Sequence, residues 1–236
     1  MIKVDNLSKS YGSKKVLDEV NLRFEREQVR SFLGPNGAGK TTTFNIISGI
    51  EAPTGGSIYL EGQNVSGLPV HVRARKGITY LPQETSLFRG LTVEENVEIY
   101  LGGINDGNSS QPEDASRSLK RLGIFDLKER NVTNLSAGQK RKVEIARALV
   151  LAPAYLLLDE PFSDLDPRSV EEIKKILVSL KDDEEIGVVL SDHRAEVALS
   201  ISDYNYLLDR GKIIAEGDSD EIVESEPAKK SYFVEK

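Results

Sequence analysis

Residues Gly34-Pro35-Asn36-Gly37-Ala38-Gly39-Lys40-Thr41 match the spacing G-x-x-x-x-G-K-[ST], and no other stretch restricts the fold of this chain as strongly. Glycines at these places turn the backbone so that amide N–H groups point inward at a helix N-terminus, which favours an anion. The loop must therefore connect a strand to a helix. Residues 29–33 read as that strand and residues 42–48 as that helix. Lys40 is placed to reach the β- and γ-phosphates of a nucleotide, and the Thr41 hydroxyl to ligate Mg²⁺. Asn36, Gly37, Ala38, Gly39 and Thr42 complete the candidate phosphate cradle.

With 236 residues the chain can bury a full core, as one large domain or a domain with a subdomain. It has no cysteine, which excludes disulfides, cysteine-ligated zinc and thiol catalysis and is compatible with a reducing cytosol. His71 and His193 are the only histidines, so no histidine metal cluster is expected. A net charge of −7 with 29% charged residues argues for a soluble acidic protein without a broad basic face for nucleic acid. The N-terminal residues lack the apolar core of a signal peptide, and no run approaches the roughly 18 to 20 apolar residues of a membrane span. Any membrane role is expected to come through a partner.

Along the chain, residues 2–7 alternate as a strand, residues 8–13 read as a loop, and residues 16–24 read as an antiparallel partner. Gly49 stops the first helix, and residues 53–56 turn into a strand over 57–61. Pro69 opens a short helix to Arg75, which Gly77 ends before a strand at 78–81. From Thr92 the period is helical, with Val93, Val97, Tyr100 and Leu101 on one face. Residues 102–111 read as a flexible loop, and Pro112 starts a helix to about Leu122. A helix over 139–151 carries Val143, Ala146, Leu149 and Val150 on its buried side. Residues 88–151 thus form a helical insert between the strand-and-helix segments 1–87 and 152–236. Residues 155–158 are continuously apolar, as in a central parallel strand buried on both faces. A helix at 167–180, an acidic turn at 182–185, a buried strand at 187–190, a hairpin from 204–208 and 212–215, and a short helix from Asp218 finish the chain. The expected fold is α/β: a mostly parallel core sheet, an antiparallel β layer and an inserted helical subdomain.

Asp159 and Glu160 end the apolar run, where ligands of open α/β sheets bind. Neighbours on a strand point in opposite directions, so the two acids have different tasks. Asp159 suits a carboxylate that holds Mg²⁺, directly or through water, and Glu160 one that orients and deprotonates an attacking water. Ser136 and Gln139, three residues apart before a helix, form a capping box in pattern.

The run Leu135-Ser136-Ala137-Gly138-Gln139, lying between a phosphate loop and Leu156-Leu157-Leu158-Asp159-Glu160, resembles the signature of the ABC ATPase family. The resemblance implies a P-loop NTPase cassette of ABC type whose ligands are ATP and Mg²⁺. It implies a homodimer, in which the phosphate loop of one copy and Ser136, Gly138 and Gln139 of the other clamp each ATP. Ala137 departs from the family's usual glycine. By the same resemblance Tyr11 corresponds to the aromatic residue that stacks on adenine, although a loop tyrosine packing on its own domain is an alternative. Gln83 corresponds to the glutamine that contacts Mg²⁺ and the attacking water, and His193 to the switch histidine at the γ-phosphate. Asp166 corresponds to the aspartate that communicates across the dimer, but equally suits an N-cap before Pro167. Asp164 is unusual beside the small residue commonly found there. Residues 25–28 lack the family's usual glycine, and Ser31 replaces a small apolar residue or glycine.

One uninterrupted cassette resembles the motor subunit of a transporter more than a soluble translation or DNA-maintenance member. Residues 71–96, with 141–149 and 158–162, resemble the lipopolysaccharide-export ATPases of Gram-negative bacteria. That implies peripheral attachment to the cytoplasmic face of the inner membrane, beneath two integral membrane subunits. Phe88 and Arg89 then fall near the docking groove, with no direct contact to cargo and none to nucleic acid. His71 reads as a surface residue. A branched-chain amino-acid importer cassette is the competing transporter reading.

Overall fold

The computed structural model describes residues 1–100 and 114–232. Ten strands form two sheets among these residues. The antiparallel layer has the order β2-β1-β4-β5, from Ile2–Tyr11 (β1), Lys14–Phe24 (β2), Gly55–Leu60 (β4) and Gln63–Asn64 (β5). The larger sheet has the order β10-β9-β3-β8-β7-β6. Its members are Val29–Leu33 (β3), Ile78–Leu81 (β6), Tyr155–Asp159 (β7), Gly187–Asp192 (β8), Tyr204–Asp209 (β9) and Lys212–Gly217 (β10). Neighbours from β9 to β6 pair in parallel, and the β9–β10 hairpin adds one antiparallel edge.

Strand β7 shows how this order creates a core on both sides. Its residues are all buried; Tyr155 and Leu157 join the cluster under the antiparallel layer, with Phe24, Phe32 and Phe44. Leu156 and Leu158 join the opposite cluster, which runs on through Val93, Leu119, Ile145 and Ile173 of the helices. Alternation sends successive side chains to opposite faces, so an unbroken apolar run serves two cores. Each fully buried side chain of this size is worth about 1.5–3 kcal/mol.

The helices are Lys40–Ser48 (α1), Val70–Arg75 (α2), Val93–Glu98 (α3), Ala115–Arg121 (α4), Ala137–Leu149 (α5), Pro167–Glu184 (α6), Ala195–Leu199 (α7), Ser219–Glu224 (α8) and Glu226–Ser231 (α9). Among the described residues, α3, α4 and α5 stand between β6 and β7 with no strand among them, and the Ser118 hydroxyl ties α4 to the Ala146 carbonyl at 2.8 Å. The fully buried Arg73 guanidinium donates to the carbonyls of Ile46 and Ile47 at 2.7 and 2.9 Å, fixing the last turn of α1 where the helix dipole is negative.

Several boundaries differ from the sequence reading. β1 continues through residues 8–11, which read as a loop; Asn6 has φ 49° and the register shifts between Val4 and Leu7, so the alternation that marks a strand is interrupted. α6 continues to Glu184 through acids that disfavour a helix C-terminus. Ion pairs from Lys181 to Asp182 at 3.3 Å and from Arg121 to Glu184 at 2.7 Å offset that, so residues 182–184 are helix rather than turn. α5 begins at Ala137, two residues early, and the tail holds two helices, α8 and α9. Tyr100 is 38% exposed and lies beyond the end of α3 instead of on its buried face. Leu101, the loop at 102–111 and the helix start at Pro112 lie outside the described residues; α4 is capped by Asp114. Among the described residues no helix is long and apolar enough to cross a membrane.

Candidate active site

Four parallel strands end on one edge of the sheet and each delivers part of one cleft. β3 leads into the phosphate loop, β6 to Gln83, β7 to Asp159 and Glu160, and β8 to His193. Register aligns these ends: Leu33 pairs with Asp192, Asp159 with Ser191, and Leu81 with Leu158. The cleft, about 810 Å³, is lined by Tyr11, Asn36, Gly37, Gly39, Lys40, Thr41, Thr42, Gln83, Glu160 and His193, among others.

Gly39 has φ 115°, and a Cβ there would lie 2.7 Å from Leu17 Cδ2, so the loop enters α1 only through glycine. Lys40 is 6% exposed, and its ammonium donates to the Gly34 and Pro35 carbonyls at 2.7 and 3.1 Å. Burial holds its pKa below the usual lysine range, against the opposing pull of Glu160, Asp159 and Asp192. The loop thus presents a cation whose neutral partners can be exchanged for phosphate oxygens.

The two acids do have different surroundings. Asp159 is buried; its carboxylate accepts from the Thr41 hydroxyl at 2.7 Å, from the Tyr80 hydroxyl at 3.3 Å and from the Ser191 hydroxyl. Glu160 turns away with φ 47°, a left-handed conformation that costs a non-glycine residue about 1–3 kcal/mol. Its carboxylate accepts from Gln83 Nε2 at 2.9 Å and Ser163 Oγ at 2.9 Å, with His193 Nδ1 at 3.3 Å. The Glu160 N–H donates to the Ser191 carbonyl at 3.0 Å. A carboxylate held among an amide, a hydroxyl and an imidazole at the rim of a phosphate cradle can orient a water and take its proton.

Tyr11 stands at the cleft mouth, 47% exposed, with its hydroxyl donating to Glu51. Ser136, Gly138 and Gln139 are absent from the cleft lining. They form the N-terminus of α5 as a capping box, with Gln139 N–H donating to Ser136 Oγ at 3.2 Å and Ser136 N–H to Gln139 Oε1 at 3.0 Å. Gly138 is needed within the chain itself, because a Cβ there would stand 2.4 Å from Ser169 Oγ. Ala137 is exposed and meets no such limit. Asp166 is the N-cap of α6, accepting from Arg168 and Ser169 N–H groups, both at 3.1 Å, and from Ser169 Oγ at 2.6 Å, which holds its pKa low.

Three sequence departures can be placed in the structure. Glu27 and Asp164 have φ 57° and 59°, the conformation for which glycine or a small polar residue is usual. Ser31 is buried and donates its hydroxyl to Asn205 between β3 and β9. Sequence reasoning missed Tyr80 and Ser191. Ser191 acts only because β7 lies beside β8, and Tyr80 because β6 lies beside β7; no motif records that order.

Phe88, 46% exposed, lines a separate groove of about 760 Å³ with His71, Arg75, Ile99, Tyr100 and Leu149. His71, read as plain surface, is thus at a groove wall, whereas Arg89 is exposed and outside the lining.

Residues 17–163 match the family described as ABC transporter. The lipopolysaccharide export system ATP-binding protein LptB of Haemophilus influenzae is 41% identical over 236 residues, spanning 100% of this chain and 98% of that protein. The ADP conformation of MJ1267, an ATP-binding cassette of an ABC transporter, superposes with a TM-score of 0.88 at 28% identity, covering 100% of this chain and 99% of the other. The dimeric post-hydrolysis state of the cassette MJ0796 bound to ADP and Pi superposes with a TM-score of 0.81 at 30% identity, covering 93% and 99%.

Proposed function

The chain belongs to the ABC transporter family as an ATP-binding and ATP-hydrolysing cassette, and from that premise we propose that it is the homodimeric motor of a lipopolysaccharide exporter. The observation that carries the catalytic part is the convergence of Gln83, Ser163 and His193 on the Glu160 carboxylate, beside Lys40 and the Thr41–Asp159 pair. What carries the cargo is the 41% identity to the LptB protein along the whole chain, including the region of Phe88.

In this reading Tyr11 stacks on the base, Asn36 to Thr42 cradle the phosphates, and Lys40 releases its loop carbonyls for the β- and γ-phosphate oxygens. The Thr41 hydroxyl and the Asp159 carboxylate, 2.7 Å apart, are hard oxygen donors that fit Mg²⁺, and Gln83 lines the same cavity. Among the described residues no group of three or more His, Cys, Asp or Glu could hold a metal ion, so such a cation would share its site with the phosphates. When bound, it would neutralise charge on the β- and γ-phosphate oxygens.

Glu160 orients a water in line with the γ-phosphorus and takes its proton as the new P–O bond forms and ADP leaves. His193 and Gln83 hold that carboxylate and the water in place. Ser136 and Gly138 of a second copy supply donors to the γ-phosphate from the side that the monomer leaves open; Gln139 supports them through the capping box. The barrier falls through positioning and electrostatics, with no covalent intermediate on the protein.

We place the cassette on the cytoplasmic face of the inner membrane, with the Phe88 groove and Arg89 receiving a segment of an integral membrane subunit. Pull-down of tagged Glu160→Gln with ATP from detergent-solubilised membranes tests the cargo. Recovery of the lipopolysaccharide-export membrane subunits is the expected result; recovery of branched-chain amino-acid permeases instead would move the protein to importers. Phe88→Ala is expected to keep ATPase activity and lose the membrane subunits.

A further inference from the structure

Tyr11 is held more tightly than a half-exposed residue at a strand end needs to be. Its hydroxyl, at the mouth of the cleft onto which α1 opens, donates to Glu51. Glu51, just past that helix, is itself held by Asn45 Nδ2 at 3.2 Å and by Lys9 Nζ at 3.3 Å. Lys9 in turn donates to the Ala52 carbonyl at 2.7 Å, and its ammonium stands over the Tyr11 ring, 4.9 Å from the centroid. The bond to Glu51 raises the tyrosine pKa, so the hydroxyl stays protonated and continues to donate.

Two consequences follow for a ring at the mouth of a nucleotide cleft. Fixing the hydroxyl at one end and the strand at the other removes rotamer freedom before any ligand arrives, so less entropy is lost on binding. A cation over one face closes it to ligand and draws electron density from the ring, which favours an electron-rich base against the other face.

We infer that Lys9 and Glu51 are positioning residues that lock Tyr11 as a one-sided platform for the adenine base. The inference rests on the reading of Tyr11 as the base-stacking residue.

The test is calorimetry on the full chain with two ligands: ATP, and tripolyphosphate, which offers phosphates without a base. Tyr11→Ala, which removes the platform, is expected to weaken ATP by about tenfold or more. Glu51→Ala and Tyr11→Phe, which keep the ring and remove the tether, are each expected to weaken ATP by about three- to tenfold and to leave tripolyphosphate unchanged. Glu51→Gln keeps an acceptor for the hydroxyl and is expected to restore most of the affinity, and Lys9→Met is expected to weaken ATP in the same sense. If Tyr11→Ala binds ATP like the parent, the base-stacking reading itself is wrong. If Tyr11→Ala weakens ATP but Glu51→Ala and Tyr11→Phe do not, that reading survives and the positioning role is overturned. Equal losses for ATP and tripolyphosphate would also overturn it, because the effect would then lie in the phosphate loop.

Discussion

The two halves of the proposed ATP site are built in different ways. At the strand ends, Asp159 and Glu160 are held by side chains from other elements: Thr41 and Tyr80 on one, Gln83, Ser163 and His193 on the other. At the start of α5, Ser136 and Gln139 satisfy each other within one helical turn. The first half is preorganised by folding of the whole sheet, and an altered partner changes its geometry. The second is a helix end whose capping box is local in sequence; Gly138 packs on Ser169 of α6, while Ser136 and Ala137 stay exposed.

The largest effect is expected at Glu160. Glu160→Gln should lower the turnover number by about 10²–10⁴-fold while ATP still binds, since the carboxamide cannot take the water's proton. Undiminished hydrolysis would remove Glu160 from the role of base. Next, Lys40→Ala should weaken ATP by about 2–3 kcal/mol, read by calorimetry, because a charge-assisted hydrogen bond to phosphate is lost.

Ser191→Ala should act on the strand-end half alone. We expect turnover to fall about tenfold through a loosened Asp159, at the scale of one net hydrogen bond, with little change at the α5 end. Ser136→Ala is the counterpart. Losing the N-cap should cost about 1 kcal/mol of stability in thermal melts. If Ser136→Ala perturbed ATP affinity of the monomer as strongly as Lys40→Ala, the division between halves would be wrong.

The smallest effect concerns pH. Burial pushes the Asp192 carboxyl above its usual range, and its Oδ2 has no hydrogen-bond partner. Between the unfolded and folded pKa values, the folded state therefore binds a proton that the unfolded state has released. Stability falls as pH rises from the unfolded carboxyl value through the folded one, and the full cost is present above both. Asp192→Asn should raise the melting temperature by about 2–4 °C at neutral pH, with the gain vanishing in acid. A gain that grows in acid would contradict the assignment.

How much of this was legible beforehand follows the same division. The phosphate loop and the capping box are local in sequence, and both stand where their spacing put them, as does the buried run at β7. Strand alternation predicts that Asp159 and Glu160 part; in the structure the left-handed turn at Glu160, just past β7, parts them. The roles of Tyr80 and Ser191 were not legible, since they depend on which strands become neighbours in the sheet. The end of β1 was hidden by a bulge, and the last turn of α6 by acids of which Glu184 is paired with Arg121 of a distant helix. Asp166 read equally well as an N-cap or a signalling residue; the N-cap is present, and a role across a dimer remains compatible with it.

The most direct test is sedimentation of Glu160→Gln with ATP, alone and combined with Ser136→Glu. The account predicts an ATP-dependent dimer for the single variant. The double variant should remain monomeric while binding ATP with the same affinity as the monomeric parent, because its own cradle is intact and only the contribution to a second copy is lost. A double variant that dimerises as well as the single one would contradict a site shared between two copies.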